Sequence, residues 1–355
     1  MATTMQEGQT TLEEVATFEH QVTGVTVTET GRLFVNFPRW SEDAPISVAE
    51  LRGDGELVPY PDVRWNAWRN ARKNETTPHD HWVCVQSVVD DGRGSLWVLD
   101  PAAPATSHLV PGGAKLVQID LASDRVTRTI AFDESVAPEG SYLNDVRFSP
   151  DGRWAYLTDS GAVGALVVVD LERGRARRVL HRHPSTQPEK DVTVETDGKP
   201  LRRPDGRGAE FAADGIALSR DGRHLYWQAL TGRTCYRIET AALHDDSIDD
   251  AALADRVEGY GQNGVSDGLW IDAGGRLYLT ALQENAVKVR DLADGPDGAP
   301  RVLVQDERLR WPDTFSEGPD GAVYVTASHI HDMPWFEPRN PLAVRTALFR
   351  FEPGG

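Results

Sequence analysis

Acidic and amide side chains recur at matching points along this sequence. Each stands at the beginning of a short run in which apolar and polar residues alternate, and the set is Asn144, Asp145, Asp214, Asp267 and Asp313. Carboxylates can move protons, and clustered carboxylate and amide oxygens suit a hard cation such as Ca²⁺. Carboxylates that crowd together also raise one another's pKa values unless a cation or a cationic ligand neutralises them. The set predicts a shared site, provided that the fold brings its members together.

Six copies of a hairpin are the elements that must position these residues. Each copy reads as a strand, a glycine-containing turn and a second strand, as in NDVRFSPDGRWAYLTDS. Glycine accepts the positive φ that closes a short hairpin, and the alternation on either side is typical of strands. The copies span residues 23–37, 84–100, 144–160, 213–230, 266–282 and 312–328. Further β-like runs between the copies complete four strands per unit, so the sequence predicts an all-β, six-bladed β-propeller with four-stranded blades.

The domain boundaries follow from this repeat. We expect residues 13–355 to form a single propeller domain and residues 1–12 to form a mobile tail. The segment EEVATFEH at 13–20 is expected to supply the strand that closes the ring against TALFRFE near the end of the chain. Two insertions, at 59–82 and 181–212, are predicted to be loops because they are rich in proline and polar residues.

Propeller topology predicts where the acidic residues meet. The first strand of each blade lines the central channel, so the residues that begin these strands share one mouth of it. Residues that end the second strands should rim the same face. Asp145, Asp313 and His329 are then the candidates for moving a proton. The candidates for ligand contact are Trp40, Gln86, Gln228, Gln283, Trp311 and Ser328.

Composition and missing motifs exclude several classes of function. The 37 Lys and Arg against 55 Asp and Glu give a net charge of −18, which disfavours nucleic acid and anionic membranes as partners. No phosphate-binding or dinucleotide glycine motif follows a suitable strand, so we expect no nucleotide cofactor. Three His-x-His pairs lack a third ligand at fixed spacing and predict zinc only weakly. Without an apparent targeting segment, the protein is expected to be cytoplasmic, with Cys84 and Cys235 reduced.

The segments YPDVRWNAW, GGAKLVQIDL, SYLNDVRF, ADGIALS and WPDTF stand in this order in the chain. Together they resemble the bacterial branch of the Yellow and major royal jelly protein family, from about residue 20 to the end. The resemblance implies a six-bladed propeller with a ligand site in its channel. Insect relatives are associated with pigment chemistry, including dopachrome conversion, and with binding of small amines.

More distant lactonase propellers, similar to gluconolactonase and regucalcin, hold a divalent cation. That similarity implies Asn144, Asp214 and Asp267 as ligands of one cation, with Ca²⁺ preferred. The matching position of the first blade reads Thr23-Gly24, where the pattern has Glu.

These observations leave more than one function open. The leading hypothesis is a small-molecule enzyme whose channel mouth catalyses metal-assisted or acid–base hydrolysis of a lactone-type substrate, or an isomerisation or tautomerisation. The alternative is a non-catalytic binder that holds an aromatic or cationic metabolite between the acids and the loop tryptophans. A protein-interaction platform is a third possibility, and the sequence does not predict the oligomeric state.

Overall fold

The computed structural model describes residues 10–106 and 108–354 and contains six four-stranded antiparallel sheets. The innermost strand of each sheet contacts the innermost strand of the next, and the last contacts the first. This closed ring confirms the predicted six-bladed β-propeller. The predicted mobile tail at 1–12 falls largely on residues 1–9, which lie outside the described residues.

The strands of the first three blades run as follows, from the channel outward. Blade 1 consists of Val25–Val27, Leu33–Asn36, Val48–Leu51 and Leu57–Pro59. Blade 2 consists of Ser87–Asp90, Ser95–Asp100, Lys115–Asp120 and Arg125–Ala131. Blade 3 consists of Leu143–Phe148, Trp154–Asp159, Ala165–Asp170 and Arg175–Val179.

The remaining three blades complete the ring. Blade 4 consists of Ala213–Leu218, His224–Ala229, Thr234–Glu239 and Glu258–Gln262. Blade 5 consists of Leu269–Ile271, Arg276–Ala281, Ala286–Asp291 and Arg301–Gln305. Blade 6 consists of Pro312–Glu317, Val323–Ala327, Thr346–Phe351 and, outermost, Glu13–Phe18. The pairing of Glu13–Phe18 with Thr346–Phe351 confirms the predicted closing strand.

Helices occur only as short connections in the described chain. Two α-helices, Thr240–His244 and Asp250–Ala254, join the third and fourth strands of blade 4. The 3₁₀ turns are Trp65–Ala67, Asn70–Arg72, Pro78–Asp80, Pro104–Thr106, Pro184–Thr186, Leu282–Glu284, Leu292–Asp294 and Ile330–Asp332. None of the helices in the described ranges is long and apolar enough to cross a membrane.

The hydrophobic core is divided among the gaps between blades. Each of the six gaps holds one cluster of buried side chains, such as Leu99 of blade 2 with Leu157 of blade 3. Burying one such leucine contributes about 1.5–3 kcal/mol. A seventh cluster, which includes Trp40 and Trp311, lies under the loops at one mouth of the channel. Cys84 and Cys235 are both buried and both free.

The insertion at residues 181–212, here called the strap, connects blade 3 to blade 4 and contacts Arg310 just before blade 6. It contains a small hairpin formed by Glu195–Thr196 and Lys199–Pro200. Asp197 at the hairpin tip accepts two hydrogen bonds from the guanidinium of Arg310, at 3.0 and 3.1 Å. Arg310 lies just before blade 6, so this ion pair holds the strap across the mouth of the channel.

The turn between the first two strands has the same hydrogen bonds in blades 3 and 4. The Ser149 hydroxyl donates to Asp151 Oδ1 at 2.5 Å, and the Ser219 hydroxyl donates to Asp221 Oδ1 at 2.7 Å. In both turns the backbone N–H two residues after the aspartate donates to the same Oδ1 at 3.0 Å. These aspartates lie at the turn end of each hairpin, where they are used to shape the turn.

Candidate functional site

β-Bulges place the acidic side chains at the channel. The strand register shifts between Leu143 and Val146 in blade 3, and the corresponding shifts flank Asp214 in blade 4 and Asp313 in blade 6. A bulge re-aims one side chain while the rest of the strand keeps its alternation. The acids of these blades therefore lie within the first strand, whereas Asp267 precedes the first strand of blade 5.

Threonine hydroxyls of the second strands accept hydrogen bonds from backbone N–H groups at the start of the first strands, where the regular strand pairing is interrupted. Thr280 Oγ1 accepts from the backbone N–H groups of Gly268 and Asp267, at 2.7 and 3.2 Å. Thr326 Oγ1 accepts from the N–H of the residue after Asp313, at 3.1 Å. Gln228 occupies the matching position of blade 4. Its Nε2 donates to two backbone carbonyls, so its role in the structure is to hold loops.

A cavity of about 340 Å³ opens at this mouth. Its floor is formed by Gln86, Asn144, Asp214, Asp267 and Asp313. Its walls include Trp40, Tyr142, Phe211, Trp311, Ile330 and Trp335. The strap supplies Arg203, Arg207 and Glu210. A narrow hole of about 10 Å³, which Asp145 also lines, continues the channel below the floor.

Burial keeps protons on two of the floor carboxyls. The pKa values of Asp214 and Asp313 lie well above the ordinary range, because burial penalises the charge and the charge of Asp267 repels a second one. Burial also raises the pKa of Asp267, to about 6, while hydrogen bonds from Trp311 and Asp214 oppose the rise. The indole N–H of Trp311 donates to Asp267 Oδ2 at 2.6 Å. At neutral pH, Asp267 is therefore the ionised member of the pair that it forms with Asp214.

The four acids of the channel differ in their partners. Asp145 accepts a hydrogen bond from Ser87 at 2.8 Å, and its Oδ2 lies 2.7 Å from Arg147 Nη1. In the described part of the chain, no lysine, arginine or histidine nitrogen lies within 4.0 Å of the carboxyls of Asp214, Asp267 or Asp313. Asp145 is thus paired with a cationic side chain of the protein, and the other three are not.

Seven of the residues singled out from sequence line the cavity: Trp40, Gln86, Asn144, Asp214, Asp267, Trp311 and Asp313. The others lie elsewhere. Ser328 is buried behind Asp313 and donates to its Oδ2 at 2.8 Å. His329 Nδ1 lies 3.0 Å from Asp332, outside the cavity lining. Gln283 lies in a 3₁₀ turn of blade 5 and Gln228 behind the bulge of blade 4, so neither reaches the cavity.

Two aromatic wall residues, Tyr142 and Phe211, were missed from sequence, whereas Trp335 is one of the loop tryptophans. Tyr142 stands two residues before Asn144, and alternate residues of a strand share a face, so strand alternation could have predicted its place. Phe211 and Trp335 lie in loops. Their positions depend on how the strap and the loop after blade 6's second strand fold over the mouth, for which the sequence has no periodic signal.

The residues predicted to hold a cation, Asn144, Asp214 and Asp267, all line the cavity. No group of three or more His, Cys, Asp or Glu within the two described ranges has an arrangement that could hold a metal ion. At the first-blade position Thr23-Gly24 there is no carboxylate, and a Cβ on Gly24 would lie 2.1 Å from Asn36 Oδ1. Burial and the nearby charge of Asp267 raise the pKa of Asp214 well above its ordinary range, so a proton can balance charge here in place of a cation.

Comparisons with known proteins agree with the fold. The model of the major royal jelly protein family matches residues 83–326. The chain is 25% identical to Protein yellow of Drosophila erecta over 280 residues, covering 72% of this chain and 48% of that protein. The Drosophila melanogaster protein gives the same identity and coverage. The chain thus spans about half the length, 48%, of the curated relatives it matches.

Solved structures extend this likeness to the whole ring. A gluconolactonase from Xanthomonas campestris has a TM-score of 0.56 at 13% identity, covering 97% of this chain and 90% of its own. Regucalcin, a calcium-binding protein from Agrobacterium tumefaciens, has a TM-score of 0.56 at 15% identity. The match covers 97% of this chain and 94% of that chain. At these identities the likeness establishes a lactonase-like propeller fold alone.

Proposed function

The chain belongs to the major royal jelly protein family, and from this premise we propose that its channel mouth binds a small organic cation that carries an aromatic ring. The observation that carries the proposal is the cavity floor. Asp214, Asp267 and Asp313 are buried there, and no cationic side chain of the described residues contacts them. A ligand ammonium group would supply the missing positive charge and displace the protons that now balance these carboxyls.

The walls of the cavity suit the rest of such a ligand. The rings of Trp40 and Trp335 lie 5.6 Å apart and are tilted by 38°, which leaves aromatic surface on one side of the cavity. Aromatic faces attract cations and pack against flat apolar groups. The volume of about 340 Å³ falls at the lower end of the range for small-molecule sites, roughly 300–1,000 Å³.

Titration of the protein with 2-phenylethylamine, followed by tryptophan fluorescence and calorimetry, tests the proposal. We expect saturable binding that the double substitution Asp214→Asn with Asp267→Asn abolishes. Asp90→Asn is the matched control, because Asp90 lies at the other end of a first strand and burial raises its pKa to about 6 as well. Undiminished binding in the double variant would refute the proposal.

Binding should also depend on pH with a defined sign. The ammonium group favours the ionised carboxylate, and Asp267 takes up a proton as the pH falls through its pKa of about 6. Affinity should therefore fall about tenfold for each pH unit below that value. An affinity that stays constant between pH 4 and pH 7 would show that Asp267 does not contact the cation.

A second candidate function is acid–base isomerisation, and the Asp214–Asp267 pair favours it. Neighbouring groups with separated pKa values are suited to serve as acid and base. Asp267 would take a proton from the carbon next to a ligand carbonyl, while Asp214 gives its proton to the carbonyl oxygen and forms the enol. Incubation with 2-amino-1-phenylethanone in D₂O should then place deuterium on the carbon next to the carbonyl. The substitution Asp267→Asn should stop this exchange. Exchange at the rate seen without protein would rule the reaction out.

Calcium-dependent lactone hydrolysis is the alternative that the regucalcin and gluconolactonase likenesses suggest. Its ligands would be Asn144, Asp214 and Asp267, but burial raises the pKa values of both carboxyls, so protons compete with the ion for their oxygens. We therefore expect no stoichiometric metal in gently purified protein and no change in melting temperature with EDTA or added Ca²⁺. Binding of one equivalent of Ca²⁺ with a rise in melting temperature would refute the ammonium proposal and identify the site as a metal site.

A further inference from the structure

The channel-mouth cavity has two chemically different halves. The carboxyls of Asp214, Asp267 and Asp313 come from blades 4, 5 and 6. The amides of Gln86 and Asn144 come from blades 2 and 3. In a ring of six blades, blade 2 lies across the channel from blade 5. A ligand whose cationic end contacts Asp267 therefore extends its other end toward Gln86.

A chain of hydrogen bonds decides which way the Gln86 amide faces. The indole N–H of Trp40 donates to the Tyr142 hydroxyl at 2.6 Å, and that hydroxyl lies 2.7 Å from Gln86 Oε1. An indole N–H can only donate, so the single phenolic proton is free to be donated to Gln86. Only the Oε1 of the amide can accept it. The Nε2 group is thereby turned away from Tyr142.

The amide nitrogen of Gln86 has no acceptor on the described residues, although the side chain is well buried. Gln86 is 7% exposed, and it lines both the cavity and the hole below the floor. Its backbone is fixed as well, because the Gln86 carbonyl accepts from Thr23 Oγ1 at 3.2 Å. A donor shielded from bulk water gains free energy when an acceptor reaches it. The open N–H₂ group therefore points to a ligand atom.

We propose that Tyr142 is a positioning residue that holds Gln86 as a hydrogen-bond donor toward the ligand. The ligand then carries an acceptor oxygen, such as a carbonyl or an ether, at the end opposite its cationic group. This inference rests on the proposed function, because the carboxyl half of the cavity fixes the direction of the ligand. It adds a requirement that the carboxyls alone do not impose.

Two amines of matched shape test this requirement by calorimetry. 2-(4-Acetylphenyl)ethylamine has a ketone oxygen where 2-(4-isopropylphenyl)ethylamine has a methyl group. We expect the wild-type protein to bind the ketone about tenfold more tightly, which is the factor that one hydrogen bond typically contributes. In Tyr142→Phe the preference should fall to about twofold or less, while the affinity for the isopropyl amine stays the same.

Gln86→Met serves as the second variant, because it removes the donor and leaves the Trp40–Tyr142 hydrogen bond in place. It should lose the same preference for the ketone. If Tyr142 were only structural, Tyr142→Phe would weaken both amines equally, and that result would overturn the inference. Equal binding of the two amines by the wild type would also overturn it, while the proposed function stands. Binding of neither amine would overturn the proposed function and this inference together.

Discussion

Replacing Asp267 with asparagine removes a carboxyl that the folded protein buries at the floor of the cavity. Burial raises the pKa of Asp267 from 3.8 to about 6, so the folded protein holds this proton more tightly than the unfolded chain does. Between these two values the folded state binds more protons, and the free energy of unfolding therefore falls as the pH rises. Above pH 6 this decrease in the free energy of unfolding is complete. A neutral side chain at position 267 avoids the decrease.

The size of the effect follows from the shift. A change from 3.8 to about 6 corresponds to about 3 kcal/mol, at about 1.4 kcal/mol for each pKa unit. Asparagine has nearly the same volume, and its Oδ1 can still accept the N–H of Trp311. Asp267→Asn should thus be more stable by about 3 kcal/mol at pH 7 and nearly unchanged at pH 4.

Urea denaturation of the wild type and Asp267→Asn at intervals between pH 4 and pH 8 measures this difference directly. The exposed Asp54→Asn is the control for a change of one charge, and its stability should follow the wild type at every pH. A stability difference for Asp267→Asn that does not change with pH would refute the reasoning. Loss of stability at pH 7 would refute it as well, because the carboxylate would then be stabilising.

Three further predictions concern the surroundings of the site. Arg147→Met leaves Asp145 without its cationic partner, so the free energy of unfolding should drop by about 3 kcal/mol. Adding Asp145→Asn should restore part of this loss in urea denaturation, and no recovery would show that the pair is not the cause. Asp197→Asn weakens the hold of Arg310 on the strap, so stopped-flow fluorescence should show faster entry and release of 2-phenylethylamine. Unchanged rates would mean that the strap does not limit access. Gly268→Ala places a Cβ 1.8 Å from the Asp313 carbonyl oxygen. It should lower the melting temperature far more than the control Gly53→Ala, whose Cβ meets open space. Equal melting temperatures of the two variants would contradict the structure.

The ring could be predicted from sequence because its signals are local. Strand alternation, a glycine turn and a second strand recur six times, and propeller topology then sends the start of each first strand to the same mouth. Side-chain partners could not be predicted in this way. Shifting a strand by one residue turns each side chain to the other face, and the bulges beside Asp145, Asp214 and Asp313 make such shifts. The partner of Asp145 and the place of Gln228 behind the bulge of blade 4 both depend on them.

The strap and the amide half of the cavity mark the limit of sequence reasoning. Asp197 and Arg310 are more than a hundred residues apart, and no periodic pattern links them. Tyr142 lay within a stretch already singled out, yet its hydrogen bond to Gln86 joins two different blades. Contacts of this kind follow from the closed ring rather than from any one repeat.

The matched turns of blades 3 and 4 have a consequence for how such a protein can evolve. The same serine, aspartate and backbone bonds recur in both turns, as is typical of a repeat architecture in which each unit repeats one local design. The copied turns lie at one end of the hairpins, and the residues that meet a ligand lie at the other. Mutations can therefore diversify the chemistry of one mouth while the turns at the opposite end keep the hairpins of blades 3 and 4 closed.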